Sequence, residues 1–411
     1  MNLLTQGIEQ KIVIPTELTK RLTVDGLPKV YKVYRVRLDY LYYNDRNDRI
    51  ATWINKYKFE NGIDAIDKSN LEAYNDIIQR FIEESNPKAL VKTQENIKEI
   101  GQSEPGVVLT DGRIIDGNRR FTCLRRLSKL NTLKYNYFDT VILDREIEHN
   151  EKQIKMLELE LQMGVDQRVD YNPIDRLVGI YQYIVENKLL TVKEYADSVK
   201  KKVSDINKEV EAAKLLVEYL EFIHAPKKFY IAREQKVDGP LIEICGAMKA
   251  LKDDKRKPLM KAVSFANILM RPEGDMTRYV RDIKLIIREK KGLDEFLNDS
   301  MPSVKKLIEI LPHSGSTTPD SIAKIKSNRD IKDGLSRSME KASEKVKIKE
   351  TKNRPLSYLT KAVDALKEID MGVYTKLNQD QKNMFNEKFL ELKSHCEKIE
   401  GDINVSKPKE S

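Results

Sequence analysis

The sequence predicts an α+β protein: a small mixed sheet near the start, a mainly helical region after it, and a helical hairpin at the end. Three observations carry this. Period-2 alternation and short apolar runs fall before residue 145, 3.6-period stripes dominate from Glu146 onward, and the last stripes repeat at near-heptad spacing.

The first strand is read at Lys29 to Leu38, KVYKVYRVRL, where Tyr34, Val36 and Leu38 alternate with Arg35 and Arg37. An Asn/Asp-rich turn follows in YYNDRNDR, and then an amphipathic segment with Ile50, Trp53, Ile54 and Tyr57 predicts a helix. Leu71, Tyr74, Ile77, Ile78, Phe81 and Ile82 form a second helical stripe. Val107 to Leu109 and Arg113 to Asp116 read as short strands around the Asp111-Gly112 turn. Gly117-Asn118 then opens a helix with Phe121, Leu124, Leu127 and Leu130 on one side and Arg119, Arg120, Arg125 and Arg126 on the others. Val141 to Leu143 reads as a strand closing the same sheet.

Helical stripes follow at 148–163, 173–187, 192–199, 204–223, 239–252, 258–270, 277–290 and 303–311. In the stripe Val280, Ile283, Ile286 and Ile287, the flanking basic residues read as a solvated face, with DNA-backbone contact as the alternative. From Asp320 to Arg354 there are 11 basic and 6 acidic residues, which suits a solvated linker over 312–355. The expected organisation is therefore a sheet domain at 1–145, a helical domain at 146–311, the basic linker at 312–355, and a hairpin at 356–400.

Composition narrows the function classes. The 411 residues are 40% hydrophobic and 34% charged, with no run approaching the roughly 18 apolar residues of a membrane span. The opening lacks the pattern of a signal peptide, so a cytoplasmic protein is expected. Cys123, Cys245 and Cys396 stand far apart, and His149, His224, His313 and His395 are scattered, so neither a disulfide framework nor a metal site is indicated. The net charge of +9 suits a polyanionic partner.

The pattern with the most chemistry is Asp116-Gly117-Asn118-Arg119-Arg120. Gly permits close backbone approach, the first-turn N–H groups are unpaired donors, and the helix dipole favours an anion. Two guanidiniums beside that entry can each fork onto phosphate oxygens. The same residues also suit a plain helix cap with solvent-directed arginines. Further on, Thr191 to Ala196, a turn through Lys200, Lys201 and Lys202, and a helix starting at Ser204 make a helix-turn-helix candidate. Ser204 would cap that helix, Asp205, Asn207 and Lys208 would face the major groove, and the lysines would meet phosphates. An ordinary helical pair with a lysine-rich loop is the alternative.

The string from Asn96 to Leu127, NIKEIGQSEPGVVLTDGRIIDGNRRFTCLRRL, resembles the N-terminal domain of the ParB partition proteins. In that family an extended stretch with Gly and Pro leads through two strands to G-E-R-R. Gln167 to Asp175, QRVDYNPID, resembles the family's Q-R-x-D-L-N-P-x-E segment, and Leu190 to Leu216 sits where the family places its helix-turn-helix. YRVRLDYLYYNDRNDR is similar to the family's first strand and Asn/Arg-rich turn. The resemblance spans about residues 30 to 220. It implies a ParB/sulfiredoxin-like domain that binds a nucleoside triphosphate, CTP in the partition proteins, followed by a region that binds double-stranded DNA, in a homodimer associated with nucleoid or plasmid.

Carried over residue by residue, the resemblance puts Gly101, Gln102 and Pro105 by the base. Gly117, Asn118, Arg119 and Arg120 would lie on the phosphates, with Arg168 closing the site. Two positions depart from the family. Its Glu in G-E-R-R is Asn118, and the Glu-Asn pair before Gln-Arg, which helps hold Mg²⁺, is Gly164-Val165; Glu158 or Glu160 could supply a replacement carboxylate. Sulfiredoxin has a Cys where this chain has Asn118, and Cys123 lies one turn too far along, which argues against that chemistry. Asp-Gly-Asn-Arg-Arg also resembles the D-G-Q-x-R motif of restriction-type nucleotide hydrolases, so an NTP-dependent nuclease or regulator in DNA restriction and phage defence is the alternative expectation.

Overall fold

A computed structural model describes residues 1–24, 27–144, 147–163, 172–251, 255–270, 282–287 and 290–405. The fold is α+β, as the sequence predicts. Five strands, β1 (Val13–Val24), β2 (Leu27–Arg37), β3 (Gly106–Leu109), β4 (Ile114–Asp116) and β5 (Tyr137–Leu143), form a sheet in the order β1-β2-β5-β3-β4. The β3–β5 pair is parallel and the others are antiparallel, so the sheet is mixed. The parallel pair requires a crossover, supplied by α4 (Asn118–Ser128) and α5 (Thr132–Tyr135).

Both sheet faces are covered, which is why β3 is buried throughout its length. On one face Val36, Val108, Ile114, Phe138 and Ile142 meet α2 (Leu71–Ser85), α3 (Pro87–Ile100) and α4 through Tyr74, Ile78, Leu90, Ile97, Phe121 and Leu124. On the other, Val33, Val107, Leu109, Val141 and Leu143 meet Ile154 and Leu157 of α6 (Ile147–Met163). Asn70 and Asn86 cap α2 and α3 by accepting from Ala73 and Ala89 N–H, and Pro87 occupies the first turn of α3.

Between β2 and α2 runs a tight segment with a 3-10 turn at Asp48–Ile50 leading into α1 (Ala51–Asn61). Beyond the sheet lie α7 (Pro173–Ile180), a π-helical turn at Tyr181–Glu186, α8 (Val192–Ser198), α9 (Val203–Phe222), α10 (Phe229–Gln235), α11 (Asp238–Ala250), α12 (Lys257–Met270), α13 (282–287) and α14 (Lys290–Ile310). Ile283, Ile286 and Ile287 are buried as their stripe requires, whereas Arg278, Val280 and Arg281 lie outside the described residues.

Two differences from the sequence reading have physical causes. Strand β1 escapes a period-2 search because it is an edge strand carrying Pro15, with a register shift between Pro15 and Thr19. The stretch 312–355, expected as a solvated linker, carries α15 (Pro319–Lys326) and the first part of α16 (Arg329–Lys367). Thr318 and Ser321 form a reciprocal cap, and Ile322, Ile325, Ile331, Leu335 and Met339 are buried while the lysines stay outside. A sparse apolar stripe within a strongly charged helix reads as solvated until its partner surface is known.

Residues 1–343 and 344–411 form separate compact units. The second holds the remainder of α16, then α17 (Met371–Tyr374) and α18 (Gln379–Val405), where the hairpin was expected. Its stripe residues do not make a core: Leu356, Leu359, Val363, Phe389 and Ile399 are all exposed. Among the described residues no helix is long and apolar enough to cross a membrane.

Candidate functional site

The loop from Gly101 to Pro105, the end of β4 and the entry of α4 converge. Gly101 ends α3 with φ +79° and ψ −168°, a region open essentially to glycine, and so turns the chain toward the sheet edge. Gln102 then behaves as a pseudo-strand. Its Oε1 accepts from Asp139 N–H at 2.9 Å and its Nε2 donates to Asp139 carbonyl at 2.6 Å, pinning the loop to β5. Gly117 takes φ +102° at the α4 N-cap. A Cβ there would stand 2.8 Å from the Phe138 ring and 3.4 Å from Gly106 Cα, so glycine is what lets the entry sit against the sheet.

The two arginines of the entry divide their work. Arg120 is a structural clamp: it donates to the carbonyls of Glu104 and Pro105 and pairs with Asp116 at 2.9 Å. Lys20 of β1 reaches the same loop, donating to Pro105 carbonyl at 2.5 Å with Glu104 3.7 Å away. Burial holds the Lys20 ammonium below its usual range, opposed by Asp116, and Arg120 adds to the lowering. Arg119 is half-buried and makes no hydrogen bond or ion pair among the described residues. Burial lowers its guanidinium from the ordinary value, and the neighbouring Arg49 and Arg120 lower it further. Asn118 Oδ1 is also buried without a hydrogen-bond partner.

This corner is electropositive, built at a helix N-terminus, and holds a guanidinium whose charge no described residue balances. An anion with several oxygens answers all three conditions. Gly101, Gln102, Pro105, Gly117, Asn118, Arg119 and Arg120 are thus brought to one corner, whereas Arg168 lies outside the described residues. Sequence reading missed Arg49 and Lys20. Arg49 sits in the DRNDR turn, whose charge was visible but whose approach to Arg119 depends on folding; Lys20 belongs to the strand that went unread.

Arg49 stands on a segment that grips the helical region. Its neighbour Asp48 pairs with Lys155 of α6 at 2.8 Å, and Lys155 also reaches Glu158 at 3.3 Å. All three are nearly inaccessible. Asn44 and Gln162 complete the Glu158 carboxylate at 3.3 and 2.9 Å. Burial and the nearby Asp48 raise Glu158 to about 7, against the pull of Lys155. Glu158 is thus spent inside the fold and does not replace the carboxylate that the resemblance lacks. A few residues on, Thr52 donates to Asp175 of α7, N–H at 3.1 Å and hydroxyl at 2.6 Å, while Arg233 of α10 pairs with the same carboxylate at 3.0 Å. A shallow cleft beside the Lys155 network is lined in part by Asn44, Arg46 and Arg113.

Cys123 lies on α4 with its thiol buried and donating to Leu90 carbonyl, and burial pushes it up to about 12, which unfits it as a nucleophile. Arg125, read from sequence on an outer face of the same helix, is buried and bonded to Gln79, Glu72 and Asp76.

The second candidate region is α8, its turn and α9. Thr191 caps α8 in a reciprocal box with Glu194. The turn closes with Lys200 at φ +54° and Lys201 N–H donating to Ala196 carbonyl. Helix α9 begins at Val203 with Lys202 at the cap position, so Ser204 lies in the first turn instead of capping it. Lys200, Lys201, Lys202, Ser204, Asn207 and Lys208 are all exposed, because Ile206 and Val210 turn the opposite face of α9 inward. Lys201 pairs with Glu209 at 3.2 Å and Lys208 with Asp205 at 2.9 Å.

No family model matches the sequence, and no curated protein matches it. Among solved structures, one described as a Pnob8-like ParB-N domain is similar over 74% of this chain and 97% of its own, at 12% identity and a TM-score of 0.29.

Proposed function

We propose that this chain is a ParB-like DNA-binding protein in which a nucleoside triphosphate, CTP by preference, binds at the entry of α4. The observation that carries the reading is Arg119, held half-buried near Arg49 at a helix N-terminus and without a counter-anion among the described residues. The ordered sequence motifs from Asn96 to Leu127 and from Gln167 to Asp175 support the same assignment. In this reading Arg119, Arg49 and the first-turn N–H groups receive the phosphates, while Arg120 and Gln102 keep the Gly101–Pro105 loop in place beside them. Arg168, from the second motif, lies outside the described residues, and its part in the site rests on the sequence resemblance alone.

Metal is a lesser part of the reading. Asp116 is paired with Arg120 and Glu158 with Lys155, so a Mg²⁺ ion would enter on the phosphates themselves. Among the described residues there is no group of three His, Cys, Asp or Glu side chains placed to hold a metal.

Phosphate binding would act on the helical region through the segment carrying Arg49, since Asp48 and Thr52 of that segment hold α6 and α7. Double-stranded DNA would meet the exposed start of α9, with Lys200, Lys201 and Lys202 on the backbone and Ser204, Asn207 and Lys208 toward the groove.

Calorimetry with each ribonucleoside triphosphate and Mg²⁺ tests the reading. Wild type is expected to bind CTP selectively, and Arg119→Ala to weaken it by roughly 10- to 100-fold, the loss of a charge-assisted contact. Arg119→Ala is a cleaner probe than the double change with Arg120, because Arg120 also holds the loop. If none of the four binds at millimolar concentration, the nucleotide reading fails. Turnover coupled to DNA cleavage would instead favour the nuclease or restriction-type regulator.

A further inference from the structure

The β1–β2 hairpin extends past the sheet. Its register runs from Thr19↔Lys32 to Val24↔Leu27, but β5 pairs with β2 only along Val33–Arg37. Thr19–Val24 and Leu27–Lys32 therefore form a two-stranded ribbon. Two strands alone are marginal in water, and this pair is held because one face is packed: Leu22, Val24 and Tyr31 join Ile154 and Leu157 of α6.

The opposite face is open. Thr19, Arg21 and Thr23 of β1 alternate onto it, with Pro28, Val30 and Lys32 opposite them on β2, and all six are exposed. Of these, Val30 is the large apolar side chain, and it is 67% exposed. Arg21 and Lys32 form no ion pair among the described residues. The open face thus carries the cations Arg21 and Lys32, whereas Lys20 turns to the Pro105 carbonyl and Arg35 pairs with Asp139. Edge protection against aggregation would account for charges on a strand at the rim of a sheet. It does not account for the exposed Val30 between Arg21 and Lys32, which works against protection.

We infer that this open face of the β1–β2 ribbon is a second contact surface for double-stranded DNA, separate from α8 and α9 and from the nucleotide site. A two-stranded ribbon has the width that the major groove admits. Arg21 and Lys32 sit diagonally across the ribbon, about 7 to 8 Å apart, and can reach successive backbone positions. The hydroxyls of Thr19 and Thr23 add neutral donors, and Val30 between them offers the apolar contact that a thymine methyl takes.

The test uses the full chain and a labelled random-sequence duplex, followed by fluorescence anisotropy over a range of salt. Compared are wild type, Arg21→Gln/Lys32→Gln, and Lys200→Gln/Lys202→Gln. All substituted positions are exposed, and thermal melting checks that each variant folds. Each phosphate contact contributes about 0.9 to the slope of log K against log salt, so the ribbon variant is expected to lower the slope by up to about 1.8. Calorimetric nucleotide binding should be unchanged in that variant. A wild-type slope in the ribbon variant overturns the inference; if the Lys200/Lys202 variant loses binding in the same experiment, the α9 reading stands without it. A ribbon variant that changes sedimentation but not DNA affinity would make the face a protein interface, which also overturns it. Failure of wild type to bind duplex at low salt overturns this surface and the α9 surface together, while leaving the nucleotide measurement to be judged separately.

Discussion

Arg119 and Arg120 are adjacent in sequence and opposite in role. Consecutive helical positions differ by about 100° in direction, so one guanidinium turns to the Glu104–Pro105 carbonyls and the other is directed away from them, where burial and the charge of Arg49 lower its pKa. Gly117 sets where both begin. Its φ of +102° is costly for any residue with a Cβ, and the added carbon would lie 2.8 Å from the Phe138 ring. Gly117→Ala is therefore expected to destabilise by roughly 2–4 kcal/mol, combining left-handed strain with overpacking. Denaturant unfolding measures this. Because the variant also displaces the first-turn N–H groups, nucleotide affinity should fall further than in Arg119→Ala; equal affinity in Gly117→Ala and wild type would show that those N–H groups hold no phosphate.

At the scale of elements, the segment between β2 and α1 joins the two halves of the first unit. Asp48 faces Lys155 of α6, Thr52 faces Asp175 of α7, and Gly179 of α7 leaves room for the Asp48 carboxylate, which a Cβ there would approach to 2.9 Å. Lys155 answers two buried carboxylates. Removing its charge leaves both without a cation, so Lys155→Met is expected to cost about 3–5 kcal/mol in urea or guanidinium unfolding. Replacing Glu158 by Gln as well should recover part of that loss, since one fewer charge is then buried unpaired; a double variant no more stable than Lys155→Met would contradict the role given to Glu158. Of these elements, β2, α2, α4 and the Gly117 entry were legible in sequence because their signals are local: alternation, a 3.6-period stripe, a glycine before a helix. The Asp48–Lys155 and Thr52–Asp175 contacts were not, since they join residues more than a hundred positions apart. At the candidate site Arg49 went unread because its approach to Arg119 depends on folding, and Lys20 because it lies on the edge strand β1, whose Pro15 and register shift hide the alternation.

For the whole molecule, two of these buried carboxyls set a pH dependence. Burial raises Glu158 to about 7 and Asp175 to about 6, from ordinary values of 4.5 and 3.8. Glu158 is faced by Lys155 on its own helix, by Asp48 and Asn44 from the segment before α1, and by Tyr183 near Lys155 from the π-helical turn. Asp175 is faced by Thr52 and Arg233. A carboxyl whose folded value is raised binds its proton more tightly when folded. Its contribution is complete below the unfolded value and is lost as pH rises through the folded one. Glu194 acts in the opposite sense, held down to about 2 chiefly by Lys152, but its effect falls below its ordinary 4.5 and so outside this window. Stability is therefore expected to decline between about pH 5 and about pH 8, measured as the denaturant midpoint at fixed salt. Glu158→Gln should flatten the upper part of that decline and Asp175→Asn the lower part. A wild-type midpoint that rises across the interval would mean that Lys155 and Arg233 hold both carboxyls ionised in the fold.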